Sequence, residues 1–242
     1  MVIFTEKYKV LAFDLDDTLV DDVQAMKYAI SKVYEYLHIV PQEELLSQYV
    51  QFDADFWEAY QEGKIVVPEK LPTDWTTYLR SIRFVEFFKD IPIRFQEGVV
   101  LNTIYSSNLG GCIVPIEGVL ETLEILQNYY KLVIITNGVK KLIAKKLETA
   151  KIASLFSEIV CAEDVGENKP HPLFYEQLFN ICDCDKSEIL AIGDSLSSDI
   201  LGGMQNGMDT AWFNHRNKPL LSGYTPTYEF HHFPELTKKL VV

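Results

Sequence analysis

With 242 residues, 48% of them hydrophobic and 24% charged, the chain is long enough to bury a sizeable core and too apolar to be mainly disordered. Its formal net charge of −13 argues against a nucleic-acid polymer as main partner, because phosphate backbones are held by cationic surfaces. A small phosphorylated ligand is still compatible, since one bound cation and one lysine reverse the field locally.

The cysteines Cys112, Cys161, Cys182 and Cys184 lack paired C-x-x-C spacing and zinc-site histidines, and read as free thiols. Glu6, Lys7 and Lys9 occupy the start of the chain, where a signal peptide would place an apolar stretch, and no apolar run reaches transmembrane length. The expected setting is the cytoplasm, with no membrane contact.

The first element is Val10 to Phe13, an apolar run too short for a helix that reads as a strand buried in a parallel sheet. It runs straight into Asp14, Asp16 and Asp17. Alternation along an extended strand turns Asp14 and Asp16 to one side and Leu15 to the core. Two carboxylates so placed repel and resist desolvation, and a hard divalent cation relieves both problems. Acidic strand ends also serve as helix caps and solvated turns, so this segment alone leaves both readings open.

Helical signals follow. Asp21 or Asp22 caps a helix carrying Met26, Ile30, Val33, Tyr34 and Leu37, and a second helix after Pro41 carries Leu45, Tyr49, Phe52, Phe56 and Tyr60 up to Gly63. Beyond Pro68 and Pro72, Thr73 or Asp74 caps a third helix with Trp75, Tyr78, Leu79, Ile82, Val85 and Phe88, and a fourth lies around Gly98 to Ser106, before the Gly110-Gly111 turn. No strand pattern interrupts this stretch. Residues 20–113 therefore read as an inserted all-helical domain, leaving residues 1–19 and 114–242 as the core domain. The aromatics of the insertion are expected mainly to hold its helices together.

From Pro115 strands and helices alternate. Gly118 to Tyr130 is a helix, Leu132 to Thr136 a buried strand and Asn137-Gly138 a turn. Val139 to Thr149 is a helix whose Lys140, Lys141, Lys145 and Lys146 are expected on its wet face. Ser157 to Ala162 reads as a strand, Pro170 to Phe179 as a helix, and Ile189 to Ile192 as a third buried strand ending at Gly193-Asp194-Ser195. Ser197 or Ser198 caps a helix over Asp199 to Gln205, and Thr210 to Phe213 closes the sheet. The fold class is thus α/β, a doubly wound parallel sheet with right-handed crossovers and an inserted helical domain.

Asp14, Thr136 and Asp194 each end an apolar strand, and Lys169 lies in the loop after a fourth. In a parallel sheet those ends share one edge, so four residues far apart in sequence converge on one crevice. Singly, each has an ordinary reading: a turn hydroxyl for Thr136, an exposed loop lysine for Lys169. The histidines lack metal spacing and suit surface or capping roles, although His171 stands near Lys169; Ser195 lacks the G-x-S-x-G turn of a serine hydrolase.

Taken together, Asp14-Leu15-Asp16-Asp17-Thr18, Thr136-Asn137-Gly138, Lys169-Pro170 and Gly193-Asp194-Ser195 with Asp199 resemble, in order, the motifs of the haloacid dehalogenase superfamily of phosphotransferases, over nearly the whole chain. The resemblance implies a Rossmann-like core, with the helical insertion as a mobile cap and Gly110-Gly111 as its hinge. It makes Asp14 the nucleophile that forms an aspartyl-phosphate and Asp16 the general acid and then base. It places Mg2+ on the carboxylates of Asp14 and Asp194 and the backbone carbonyl of Asp16. Phosphate would be held by Thr136, Asn137 and Lys169. Asp199 would orient a metal-bound water or Lys169, with a helix N-terminal charge as the plainer alternative.

Within the superfamily, Ile135 to Val139, Glu163-Asp164-Val165-Gly166, Gly193 to Ile200 with Gly202-Gly203 and Gly207, Trp212-Phe213-Asn214 and Pro226 to Glu229 resemble the pyrimidine 5′-nucleotidase branch. His171, where an aspartate is common, and Asn214-His215, where a proline often follows the asparagine, depart from it. The implied activity is a magnesium-dependent phosphomonoesterase acting on small phosphorylated metabolites, nucleoside 5′-monophosphates first, as a monomer or homodimer. The alternatives are a sugar-phosphate or phosphoglycolate-type phosphatase or phosphomutase and, in another class, a catalytically silent phosphate-binding regulatory module. A dehalogenase is disfavoured, because Asp16 supplies acid chemistry that halide release does not need.

Overall fold

Strand β1 (Val10–Phe13) is buried along its whole length, and it sits in the middle of the sheet. In the computed structural model, which describes residues 3–61 and 63–241, the sheet has six strands in the order β3-β2-β1-β4-β5-β6. They are β2 (Lys131–Thr136), β3 (Glu158–Cys161), β4 (Ile189–Gly193), β5 (Asp209–Phe213) and β6 (Tyr228–Phe230). Every pairing is parallel. Phe13 is level with Ile134 on one side and Ile192 on the other.

Apolar residues run continuously along these strands because helices cover both faces. Leu11, Phe13, Leu132, Ile134, Leu190 and Ile192 enter one cluster, and Val10, Ala12, Val133, Ile135, Ile189 and Ala191 the other. The strict alternation is the pleat seen from its packing.

The chain divides into two compact units, one formed by the segments up to Asp22 and from Ile113, the other by Val23–Cys112. The helical unit is built from α1 (Asp22–Tyr36), α2 (Glu43–Gln61), α3 (Trp75–Phe87) and α4 (Phe95–Asn108). Of the two candidate caps for α3, Asp74 takes the role, its Oδ1 accepting from the Thr77 N–H at 2.9 Å. Tyr34, Tyr49, Phe84, Phe88, Leu101 and Tyr105 form the core of this unit. A Cβ on Gly98, buried within α4, would lie 2.7 Å from the Ser81 carbonyl, so only glycine lets α3 and α4 pack this closely.

In the α/β unit, α5 (Val119–Leu126), α6 (Lys140–Thr149), the short α7 (Ala162–Val165), α8 (Pro172–Cys182), α9 (Leu201–Gln205) and α10 (Phe233–Leu240) link and flank the strands. Three expectations need correcting. The sheet does not close at Phe213: β6 adds a sixth strand beside β5, and its three residues, only one of them fully buried, are too few for a periodicity signal. The segment after Asp194 is capped by neither Ser197 nor Ser198 but by Ser195, whose hydroxyl accepts from the Ser198 N–H at 3.3 Å. A wide π-type turn over Leu196–Ile200 then leads into α9. The helix expected from Pro170 starts at Pro172, with His171 as its N-cap.

Candidate active site

The chain winds outward from β1 in both directions, β2 and β3 to one side and β4 to β6 to the other, and the carboxyl end of β1 is the crevice such a reversal creates. Asp14 stands there, its N–H donating to the Ile192 carbonyl at 2.8 Å, so the ladder of β4 holds its backbone. Only 8% of Asp14 is exposed.

The Lys169 side chain reaches the same edge. Its ammonium donates to Asp14 Oδ1 at 2.7 Å, Asp199 Oδ1 at 2.7 Å and the Ile135 carbonyl at 2.8 Å. All three donors of a buried –NH3+ are thus used. Burial alone would lower the pKa of Lys169, but the carboxylates of Asp14 and Asp199 more than offset it, so the lysine stays protonated. Burial pushes Asp14 well up, Lys169 opposes, and Asp199, Asp194 and Asp16 push it further.

The loop that brings Lys169 here is held by Asn137. Its Oδ1 accepts from the Lys169 N–H at 2.7 Å and its Nδ2 donates to the Lys169 carbonyl at 3.3 Å. The Lys169-Pro170 peptide is cis. Thr136, 1% exposed at the end of β2, uses its hydroxyl oxygen to accept from the Gly138 N–H at 3.0 Å, which shapes the turn while its own proton stays available as a donor.

Asp194 follows β4, its peptide gripped from both sides. Its N–H donates to Thr18 Oγ1 at 3.1 Å, and its carbonyl accepts from the Trp212 indole at 2.9 Å. Its carboxyl is pushed up to about 7, chiefly by burial and then by Asp199 and Asp17. Asp199, 1% exposed, accepts from the Ser195 N–H at 3.1 Å besides holding Lys169. A Cβ on Gly193 would come within 2.2 Å of Asp199 Oδ2, so the glycine makes room for that carboxylate.

Asp14, Asp194 and Asp199 each offer a carboxylate oxygen, all within 4.8 Å of one another. An all-oxygen, anionic donor set of this kind fits a hard divalent cation such as magnesium. The Asp16 carboxylate points elsewhere: Lys146 binds it and also donates to Asp22 Oδ1 at 2.8 Å. Burial and Asp22 raise the pKa of Asp16, while Lys146 and Lys169 work against them.

Lys146 corrects the expectation of a uniformly wet lysine face. Lys140, Lys141 and Lys145 are exposed, but the Lys146 side chain is 3% exposed. A signal existed in the sequence: Lys146 lies on the same stripe as the buried Ile143 and Leu147, at i+3 from one and i−1 from the other. Thr18, Trp212 and Arg216, whose guanidinium donates to Asp17 Oδ2 at 2.6 Å, also support the site without having been singled out individually. The Thr18–Asp194 and Arg216–Asp17 pairs join residues from opposite ends of the chain and the Trp212–Asp194 pair links two neighbouring strands, and no local pattern carries any of them.

The profile of the haloacid dehalogenase-like hydrolase family matches residues 11–213. YfnB of Bacillus subtilis (strain 168) is 30% identical over 232 residues, 96% of this chain and 94% of its own. The crystal structure of YfnB, bound to magnesium, superposes with a TM-score of 0.86 over 97% of this chain and 99% of its own. Pyrimidine 5′-nucleotidase PynA of Streptococcus pneumoniae (strain ATCC BAA-255 / R6) is 28% identical, covering 95% of this chain and 93% of PynA. Pyrimidine 5′-nucleotidase YjjG of Escherichia coli (strain K12) is 27% identical, covering 97% of this chain and 98% of YjjG.

Proposed function

The chain belongs to the haloacid dehalogenase-like hydrolase family, and on that premise we propose that it is a magnesium-dependent phosphomonoesterase whose first-choice substrates are nucleoside 5′-monophosphates. The observation that carries this reading is Lys169, an ammonium fixed between Asp14, Asp199 and the Ile135 carbonyl at the carboxyl edge of the sheet. The likeness to two pyrimidine 5′-nucleotidases over nearly the full chain supports the substrate class.

Asp14 attacks phosphorus through a carboxylate oxygen. The new P–O bond forms as the bond to the leaving oxygen breaks, and Asp16 gives that oxygen its proton. Asp16, now a carboxylate, takes a proton from the water that attacks the aspartyl-phosphate, and the P–O bond to Asp14 breaks to release inorganic phosphate. Lys169, the Thr136 hydroxyl and the Asn137 N–H neutralise and orient the phosphoryl oxygens throughout. Asp14, Asp194 and the main-chain carbonyl of Asp16 would hold magnesium, with Asp199 in support, and when bound the ion supplies positive charge that lets Asp14 act ionised against an anionic substrate.

Residues 20–113 are read as a cap that selects the leaving group, on the strength of their place between the nucleophile and Thr136. A small-molecule substrate, a monomeric or homodimeric assembly and a cytoplasmic setting go with this reading. Among the described residues, no helix is long and apolar enough to cross a membrane.

Phosphate release from a panel of pyrimidine and purine monophosphates, hexose phosphates and phosphoglycolate tests the proposal. Release is expected only with magnesium, fastest on the nucleotides, and lower by roughly 10⁴-fold or more in Asp14→Asn, as for loss of a nucleophile. Normal turnover by that variant would sink the mechanism, and better turnover of the sugar phosphates would move the substrate class to the alternative.

A further inference from the structure

Lys146 stands apart from the other lysines of α6 in three respects. Its side chain is buried, its ammonium is shared by two carboxylates, and one of those is Asp16. Burying a lysine without compensation is strongly unfavourable, so a core-facing position filled by lysine rather than by leucine or isoleucine points to a use for its charge. Asp16 and Asp22 lie on either side of the tight turn after β1, in which the Asp17 N–H donates to the Val20 carbonyl at 2.9 Å. Lys146 ties the two ends of that turn together.

The Asp16 side chain keeps 35% of its surface exposed while its Oδ1 is taken by the lysine. One oxygen is therefore anchored while part of the side chain stays open to solvent. A carboxylate held by a single oxygen has lost most of its rotamer freedom before any ligand arrives, which is the condition for efficient proton transfer.

We propose that Lys146 is a positioning residue for Asp16: its ammonium, braced by Asp22, clamps one carboxylate oxygen so that the other is presented to the leaving group. This rests on the reading of Asp16 as the general acid. Lys146 itself touches neither phosphorus nor the leaving oxygen, and its contribution passes through Asp16.

The test uses the leaving group as a readout that a merely structural role does not move. The ratio kcat/KM reports events up to the first irreversible step, formation of the aspartyl-phosphate with departure of the leaving group. Later activation of water does not enter it. A nucleoside leaves as a poor, alkoxide-type group that needs a proton, whereas p-nitrophenolate departs without one. Lys146→Met in the full-length protein with magnesium is expected to lose roughly 100-fold in kcat/KM for uridine 5′-monophosphate, the size of a displaced general acid. For p-nitrophenyl phosphate it should lose only about two- to threefold. Lys146→Arg should restore most of the nucleotide rate, and Lys145→Ala, exposed on the same helix, should change neither substrate. Should Lys146→Met not fold, Asp22→Asn keeps the lysine and loosens its brace, and the same selective loss is expected at about fivefold.

Asp16→Asn run in parallel separates the two ideas. If it shows the steep preference for the aryl substrate and the Lys146 and Asp22 variants lose equally on both, the positioning role is overturned while the acid reading of Asp16 stands. If Asp16→Asn itself loses equally on both substrates, the acid reading falls and the positioning role with it.

Discussion

Lys169 in the α/β unit and Arg83 in the helical unit are equally buried cations, 4% and 5% exposed, yet their surroundings are opposites. Lys169 sits on the carboxyl edge of the sheet among more carboxylates than it can neutralise: Asp14 and Asp199 in contact, Asp194 close by. Arg83 is paired with Asp53 and ringed by Phe84 at 4.9 Å, Tyr105 at 5.1 Å, Trp57 at 5.6 Å and Tyr49 at 5.8 Å. One unit holds an excess of negative charge poised at an edge, the other a charge pair wrapped in aromatic rings. Burial of a cation thus says little about its use, and the balance of the charges around it says more.

Replacing each cation in turn is the sharpest way to break this contrast. On the proposed function, Lys169→Met is expected to lower kcat/KM for a nucleoside monophosphate by roughly 10³-fold, because the charge that reading aims at the phosphoryl group would be lost from a low-dielectric site. A loss below tenfold at saturating magnesium would put Lys169 in the same structural class as Arg83.

Arg83→Met should instead appear in stability. Stripping one partner from a buried ion pair costs about 3–5 kcal/mol, readable by urea denaturation. Pairing it with Asp53→Leu should recover most of that loss, since two apolar side chains leave no charge unpaired. If the double variant is as unstable as the single one, the rings require the cation and the pair is more than a buried charge balance.

The smallest effect is one of pH. Asp194 titrates near about 3.9 in an unfolded chain and at about 7 in the folded one, burial being the main cause. Between those values the folded protein binds a proton that the unfolded chain has released, so stability falls as pH rises through that window. In the presence of a chelator the unfolding free energy should drop by roughly 3 kcal/mol between pH 4 and pH 7 on account of this group. Asp194→Asn should flatten that part of the fall. Because a metal binds the ionised form, magnesium should raise the melting temperature more at pH 8 than at pH 5. An equal rise at both would detach the carboxylate excess from any metal.

Much of this edge was legible before the fold was known. Short runs such as Val10–Phe13 and Ile189–Ile192 carry apolar residues at every position, which only a strand covered on both faces requires, and their ends named Asp14, Thr136 and Asp194. β6 was not legible, because Tyr228–Phe230 buries one residue in three and owes its order to pairing with β5. The aromatic enclosure of Arg83 was hidden for a related reason: its rings come from α2, α3 and α4.

The sequence by itself determined the doubly wound α/β class and the residues of the sheet edge, because apolar periodicity and the polar residue that ends it are local properties of the chain. Only the tertiary structure decided which partners each buried charge finds. Lys146 reads as one of four similar lysines until Asp16 and Asp22, more than a hundred residues earlier, close around it. Asn137 reads as a turn residue until it takes hold of the Lys169 backbone. The free energy of a buried charge is set by partners that folding brings near, and periodicity along the chain carries no record of them.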